Sequence, residues 1–291
     1  MLARVPASSA NLGPGFDALA LALARYVEVS VEPAESFSIT SEGCGAGLFD
    51  DHRHLAARVA ARVLGHDRFT LHVRSEIPLS RGLGSSAALA LAAAAAAGSA
   101  SPLSLATEID GHAENAAASL LGGLVVAGVD ENNSVLTRTL MLDPAWRFVV
   151  VVPEEELPTA DARRVLPQHV PFKDAVHNVS AVALLIAGLA HHEDFAPGSM
   201  DDFLHQPYRM SLLPFAQPLL TRLREAGAVG SCWSGAGSTM LALCDERTSP
   251  EVAKEAREFL VAHSVPGEVW EIDADRRGLH DLAAKTVTLR R

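Results

Sequence analysis

The chain has 291 residues, 48% of them hydrophobic and 20% charged, and a formal net charge of −11. That length suits two domains of ordinary size, and an acidic chain with only three lysines (Lys173, Lys254, Lys285) argues against nucleic-acid binding. Three widely spaced cysteines, Cys44, Cys232 and Cys244, lack the spacing of a disulfide framework or a zinc site and fit a reducing cytoplasm.

The N-terminal MLARVPASS has no apolar run of the kind that marks a secretory signal. Residues 26–33 (YVEVSVEP) and 69–77 (FTLHVRSEI) alternate apolar and polar side chains, as half-buried strands do. Between them, 54–64 (HLAARVAARVL) has apolar residues at helical spacing, with arginines opposite. An alanine-rich helix is expected from Ser85 to a glycine stop at Gly98, and a second helix over 103–119. A strand follows at 124–129, then an Asp143-Pro144 turn and an apolar central strand over 148–152. Charge and three prolines make 154–171 an ordered loop or flap. Residues 176–189 are expected to form a buried helix. Both apolar runs, 87–97 and 179–190, are shorter than the roughly 20 residues that cross a bilayer, so no membrane partner is expected. The last third reads as strand, glycine turn and strand over 226–243, an amphipathic helix over 251–263 and a strand over 267–272. This mixed order is that of an α+β protein with a boundary near 141–147, giving domains 1–143 and 144–291.

The segment Pro78 to Ala96, PLSRGLGSSAALALAAAAA, carries the first chemical signal. A helix N-terminus presents unpaired N–H groups and partial positive charge, which suit phosphate. Gly82 and Gly84 would let the backbone approach an anion, while Ser85 and Ser86 add hydroxyls. By itself the segment reads equally as a serine-capped helix start. It is neither a P-loop, since no lysine follows, nor the dinucleotide fingerprint, since the third glycine is missing.

Three segments together are more specific: Pro6-Ala7-Ser8-Ser9-Ala10-Asn11-Leu12-Gly13-Pro14-Gly15-Phe16-Asp17, then Pro78-x-x-x-Gly82-Leu83-Gly84-Ser85-Ser86-Ala87, then Ser234-Gly235-Ala236-Gly237-Ser238-Thr239. Their order and spacing resemble the GHMP small-molecule kinases. Further motifs, Gly111-His112-x-Glu114-Asn115, Thr159-x-x-x-Arg163, Asn178-x-Ser180 and His205-Gln206-Pro207-Tyr208-Arg209, resemble the homoserine kinase family within that group. The resemblance covers essentially the whole chain. It implies an α+β, two-domain fold: an N-terminal domain like ribosomal protein S5 domain 2 and a ferredoxin-like C-terminal domain. It also implies ATP, Mg²⁺, L-homoserine as the phosphoryl acceptor, a role in threonine biosynthesis and a homodimer.

By resemblance, Pro78, Arg81, Gly82, Leu83, Gly84, Ser85 and Ser86 hold the nucleotide, and Ser86 and Glu108 hold Mg²⁺. Asp110 is a rival to Glu108. Asp17 is expected to take the substrate ammonium, and Arg163 with Arg209 its carboxylate, because guanidinium groups bind carboxylates in two-point fashion. His112 and Thr159 also fall near the substrate, Thr159 on the flap. Asn115, Arg163 and Asn11 are assigned to the catalytic step, with Asn11 and Asn115 holding the reacting hydroxyl. Asn115 stands where mevalonate-type relatives have an aspartate base, and an amide cannot take a proton. Transfer is therefore expected to run on alignment and electrostatics without a strong protein base. The chain departs from the usual family wording at Ser238 (commonly proline), Glu114 (aspartate), His54 (asparagine) and Ala20 (glycine). The rivals are another GHMP kinase acting on a different hydroxyl and a non-catalytic binder.

Overall fold

The computed structural model describes residues 1–132, 134–196 and 198–281. Residues 282–291, the end of the expected second domain, lie outside that description. In chain order the elements are β1 (Leu2–Ala10), β2 (Leu19–Pro33), β3 (Ser38–Gly43), α1 (Leu55–Leu64), β4 (Phe69–Ser75), α2 (Ser85–Ala96), α3 (Pro102–Asp110) and α4 (Ala113–Leu121). After these come β5 (Leu124–Val129), β6 (Val135–Leu140), β7 (Arg147–Pro153), α5 (Thr159–Arg164), α6 (Phe172–Ala190) and α7 (Gln206–Arg209). The chain continues through α8 (Ala216–Glu225), β8 (Gly230–Trp233), β9 (Met240–Cys244), α9 (Ser249–Ala262), β10 (Gly267–Ile272) and β11 (His280–Asp281).

Two sheets organise the molecule. The first runs β11-β1-β2-β4-β3, with the β5-β6 hairpin attached through β2. β2 serves two neighbours on the same side: Leu19–Leu21 pairs with β5 and Val27–Pro33 with β4, while β1 spans both halves and shifts register at Pro6/Ala7. Only β3 with β4 is parallel in this sheet. The second sheet, β10-β7-β9-β8, is antiparallel throughout. Within β7, Phe148, Val150 and Val152 join the core shared with the first sheet, while Val149 and Val151 face α8 and α9. A strand buried on both faces has no polar positions, which explains the unbroken apolar run.

The alanine helix α2 is buried on nearly every side, with Ala87, Ala88, Ala90, Leu91, Ala92, Ala93 and Ala94 wholly inaccessible. It is packed by β1, β2, α1, α3 and α4. A helix enclosed all round must be apolar all round, and methyl-sized side chains let five elements approach it.

Three expectations are corrected. The segment 154–171, expected as an ordered loop or flap, contains the short helix α5 from Thr159 to Arg164. The single helix over 103–119 is in fact α3 and α4, separated at Gly111, whose φ of 81° places it in the left-handed region and caps α3. The helix expected to be buried over 176–189 runs from Phe172 to Ala190 and is buried along one side only. Phe172 is 84% exposed and Val179 68%. Its 19 residues reach the length and apolarity of a spanning helix. Even so, Leu185 and Leu189 pack into the core, and Asn178 Nδ2 donates to Pro14 O and Asp202 Oδ1.

Candidate active site

Three segments distant in sequence meet at the mouth of α2. The loop entering the helix has positive φ at Ser80, Gly82 and Gly84. A Cβ on Gly82 would overlap Ser234 O and stand 2.8 Å from Gly237 N. One on Gly84 would overlap Ser8 Oγ and stand 2.9 Å from Asn115 Oδ1. The loop is clasped from both sides by hydrogen bonds: Ser8 N to Leu83 O (3.1 Å), Thr239 N to Arg81 O (3.1 Å) and Ser234 Oγ to Gly82 O (2.7 Å). Gly84 caps α2 without a side chain, so the first N–H groups of the helix face the cavity rather than a capping oxygen. This is the arrangement that attracts phosphate.

The N-terminal turn forms the second wall. Asn11, Leu12 and Asp17 all have positive φ, a conformation that costs a non-glycine residue roughly 1–2 kcal/mol. Asn11 holds the turn: its Oδ1 accepts from Asp17 N (3.0 Å) and its Nδ2 donates to Gly235 O (2.8 Å), 224 positions away. The third wall comes from α5 and α7. Arg163 Nη2 donates to Asp17 Oδ1 at 2.6 Å, and Arg209, 1% exposed, donates to Gly235 O. Both guanidinium carbons lie 5.5 Å from the Phe16 ring centre.

The break at Gly111 supplies the floor. Asp110 ends α3 and His112 precedes α4, and both line the cavity with Glu114 and Asn115. His112 Nδ1 lies 3.2 Å from Asp110 Oδ2, and this hydrogen bond raises the imidazole pKa against the opposing effect of burial. Burial pushes the Glu114 carboxyl up to about 7. Asn115 is oriented at both ends: Oδ1 accepts from Ser8 Oγ (2.8 Å) and Nδ2 donates to Glu114 Oε1 (3.2 Å).

Of the residues expected from sequence, Asn11, Asp17, Gly82, Leu83, Gly84, Ser85, Ser86, His112, Asn115, Thr159, Arg163 and Arg209 all line this cavity. Leu83 does so through its backbone, its side chain being in the core. Pro78 and Arg81 do not line it. Arg81 donates instead to Pro153 O (2.9 Å) and pairs with Glu156, bracing the loop against the flap. Glu108 is also elsewhere: its carboxylate, 60% exposed, pairs with Arg62 at 2.7 Å. Asp110, named as its rival, occupies the wall. Glu114, noticed in the sequence only as a departure from family wording, is a cavity carboxyl.

No cluster of three or more His, Cys, Asp or Glu that could hold a metal occurs among the described residues. The combination of Ser86 hydroxyl and Asp110 carboxylate nonetheless fits Mg²⁺, which keeps most of its water and binds one or two protein oxygens alongside phosphate. A second, mainly apolar cavity shares Ser80, Ser85 and Ser86 with the first and is bounded by Leu48, Phe49, His54, Leu79 and Leu89. His54 caps α1 through Nδ1, which accepts from Ala56 N at 3.2 Å, and burial lowers its pKa. The ring thus does the capping that an asparagine would do.

The chain matches the GHMP kinases N terminal domain over residues 53–123 and the GHMP kinases C terminal domain over 185–262. It is 37% identical to the homoserine kinase of Carboxydothermus hydrogenoformans, covering 96% of this chain and 95% of that one. With the homoserine kinase of Streptomyces avermitilis it shares 40% identity over 89% and 90%. The crystal structure of homoserine kinase from Cytophaga hutchinsonii superposes with a TM-score of 0.83 at 25% identity, covering 96% of each chain. L. major mevalonate kinase, at 15% identity and a TM-score of 0.68, shares the two-domain fold. The chain belongs to the homoserine kinase family of the GHMP kinases.

Proposed function

We propose that the protein phosphorylates the side-chain hydroxyl of L-homoserine with ATP, giving O-phospho-L-homoserine and ADP for threonine biosynthesis in the cytoplasm. The observation that carries this reading is one cavity combining an unpaired helix N-terminus with Asp17, Arg163 and Arg209. A zwitterion with a hydroxyl needs one anion, one or two cations and a phosphate cradle, and these are the groups present.

The Gly82–Ser86 loop would receive the ATP phosphates and the apolar cavity beside it the base. Ser86 and Asp110 would hold Mg²⁺, whose charge offsets that of the phosphates. Asp17 would bind the ammonium, and Arg163 and Arg209 the carboxylate. Binding replaces the internal Asp17–Arg163 ion pair with contacts to the substrate's own charges. Asn115 is fixed at both ends of its amide and keeps one N–H for the reacting centre. Asn11 spends its oxygen and one N–H on Asp17 and Gly235, so its part is to hold the wall. In the transfer the hydroxyl oxygen bonds to the γ-phosphorus as the bond to the β-phosphate oxygen breaks, and the hydroxyl proton passes to the transferred phosphoryl group. Catalysis then rests on alignment and charge stabilisation.

We place the domain division at 143/144. A homodimer is also part of the reading, supported by the apolar row Phe172, Val176 and Val179 left exposed on α6 and checked by sedimentation. The activity is tested by ADP release with ATP-Mg²⁺ and L-homoserine, D-homoserine, L-threonine, L-serine or mevalonate. Strong preference for L-homoserine is expected. Preference for another hydroxyl would move the arginine assignments, and ATP binding without any turnover would leave a regulatory binder.

A further inference from the structure

Arg209 is held by a buried histidine that the functional reading leaves without a role. His205 has no accessible surface, and its ring stacks on Phe16 with centres 4.9 Å apart and planes 21° apart. Its Nδ1 lies 3.0 Å from Arg209 Nη1. A guanidinium has only donors, so Nδ1 must present its lone pair. The ring proton is therefore on Nε2, which donates to Gly13 O at 2.8 Å. Burial lowers the pKa of this imidazole to about 4, in keeping with a neutral ring. The backbone here is fixed by Asp202, which accepts from Leu204 N, His205 N and Gln206 N.

The fork of Arg209 is then accounted for. Nη1 donates to His205 Nδ1 and to Gly235 O, and Nε donates to Ala162 O at 3.3 Å. Nη2 has no protein acceptor among the described residues and is not among their buried unpaired atoms, while Arg209 lines the cavity. The two N–H groups of Nη2 are thus the part of the fork left over for a ligand in the cavity that Arg209 lines. The same bonds close a circuit. Gly13 O is joined to His205, His205 to Arg209, Arg209 to Gly235 O, Gly235 O to Asn11, and Asn11 to Asp17 N. The ammonium-binding and carboxylate-binding residues are two points on one hydrogen-bonded frame.

We infer that His205 is a positioning residue for recognition of the substrate carboxylate: as the Nε2–H tautomer bridging Gly13 O and Arg209, it aims Arg209 Nη2 into the cavity and sets its distance from Asp17. The inference rests on the proposed amino-acid substrate. It makes selectivity for an α-amino acid depend on a residue that touches no substrate.

The test uses the full-length protein and two acceptors, L-homoserine and 3-amino-1-propanol, which keeps the ammonium and hydroxyl but lacks the carboxylate. His205→Leu should raise the KM for L-homoserine on the order of 10- to 100-fold, the scale of a misdirected charge-assisted pair. The KM for ATP, and kcat/KM for the amino alcohol, should stay within about threefold of wild type. His205→Asn puts an amide oxygen near the Nδ1 position and should recover most of the L-homoserine affinity. His205→Gln, which reaches towards Gly13 instead, should not. The comparison of Asn with Gln decides the matter even if the leucine variant does not fold. Equal KM values for those two variants, or equal losses with both acceptors, would overturn the inference. A wild-type protein that does not phosphorylate L-homoserine at all would instead overturn the functional reading on which it rests.

Discussion

Replacing Gly84 with alanine separates the cost of backbone conformation from the cost of the site. Gly84 and Gly65 have similar positive φ, 64° and 75°, so an alanine at either carries a left-handed penalty of roughly 1–2 kcal/mol. Their surroundings differ. A Cβ on Gly65 meets nothing within 4 Å, whereas one on Gly84 overlaps Ser8 Oγ and crowds Asn115 Oδ1. Gly84→Ala must therefore break the Ser8–Asn115 hydrogen bond, and leaving those groups unpaired costs a further ~1–3 kcal/mol. At about 2–4 °C per kcal/mol, Gly65→Ala should lower the thermal midpoint by a few degrees and Gly84→Ala by roughly 10 °C. Activity should divide more sharply. Gly65→Ala should keep its ADP-release rate, while Gly84→Ala, which moves the phosphate loop against Asn115, should lose on the order of 100-fold. The assays are thermal unfolding and steady-state ADP release at saturating substrates. A Gly84→Ala protein that matched Gly65→Ala in both would refute the reasoning that this loop is closed by contact with Ser8 and Asn115.

Two carboxylates near the end of α3 should behave oppositely. Asp110→Asn should cut turnover by roughly 10²–10³-fold and raise the Mg²⁺ concentration needed for half-maximal rate, while Glu108→Gln should leave both within about twofold, as measured by magnesium titration of ADP release. Glu114 gives a pH signature. Its carboxyl titrates near 7 in the fold against an ordinary value of 4.5, so between those limits unfolding releases a proton and stability falls as pH rises, levelling off above 7. Glu114→Gln has no such slope, so urea unfolding should show its stability gaining on wild type from pH 5 to pH 8 by up to about 3 kcal/mol. A difference independent of pH would contradict the buried, protonated carboxyl. In the same variant kcat should fall less than about tenfold, because a general base would contribute about 10²–10⁴-fold.

The sequence revealed those parts of the fold whose physics is local. Alternation marked β4 and the second half of β2, where one face is buried and the other open. The first half of β2, Leu19 to Leu23, is buried throughout and shows no period to read. Gly111 looked like one more residue of a helix until its positive φ ended α3, and a loop long in prolines concealed α5. Apolar composition made α6 look wholly buried, yet composition does not say how many neighbours a helix has. The glycine loop, the N-terminal turn and the arginines were visible as motifs because each has a distinctive residue order. That Asp110 lines the cavity while Glu108 pairs with Arg62 depends on the rotational setting of α3, since residues two apart on a helix point to different sides. His205 was visible only as the first residue of the motif that ends at Arg209, with no role attached to it. Its part emerges only where Gly13, Arg209 and Gly235 are brought together.

The central claim is that the γ-phosphate is delivered to the side-chain oxygen of L-homoserine held in this cavity. The most direct measurement gives the protein ATP-Mg²⁺ and L-homoserine labelled with ¹⁸O in the side-chain hydroxyl, then examines the product by phosphorus NMR and mass spectrometry. The account predicts O-phospho-L-homoserine that retains the label in the bridging position, formed in equal amount with ADP. A product phosphorylated on the carboxylate, loss of the label, or ADP formed without a phosphorylated amino acid would contradict it.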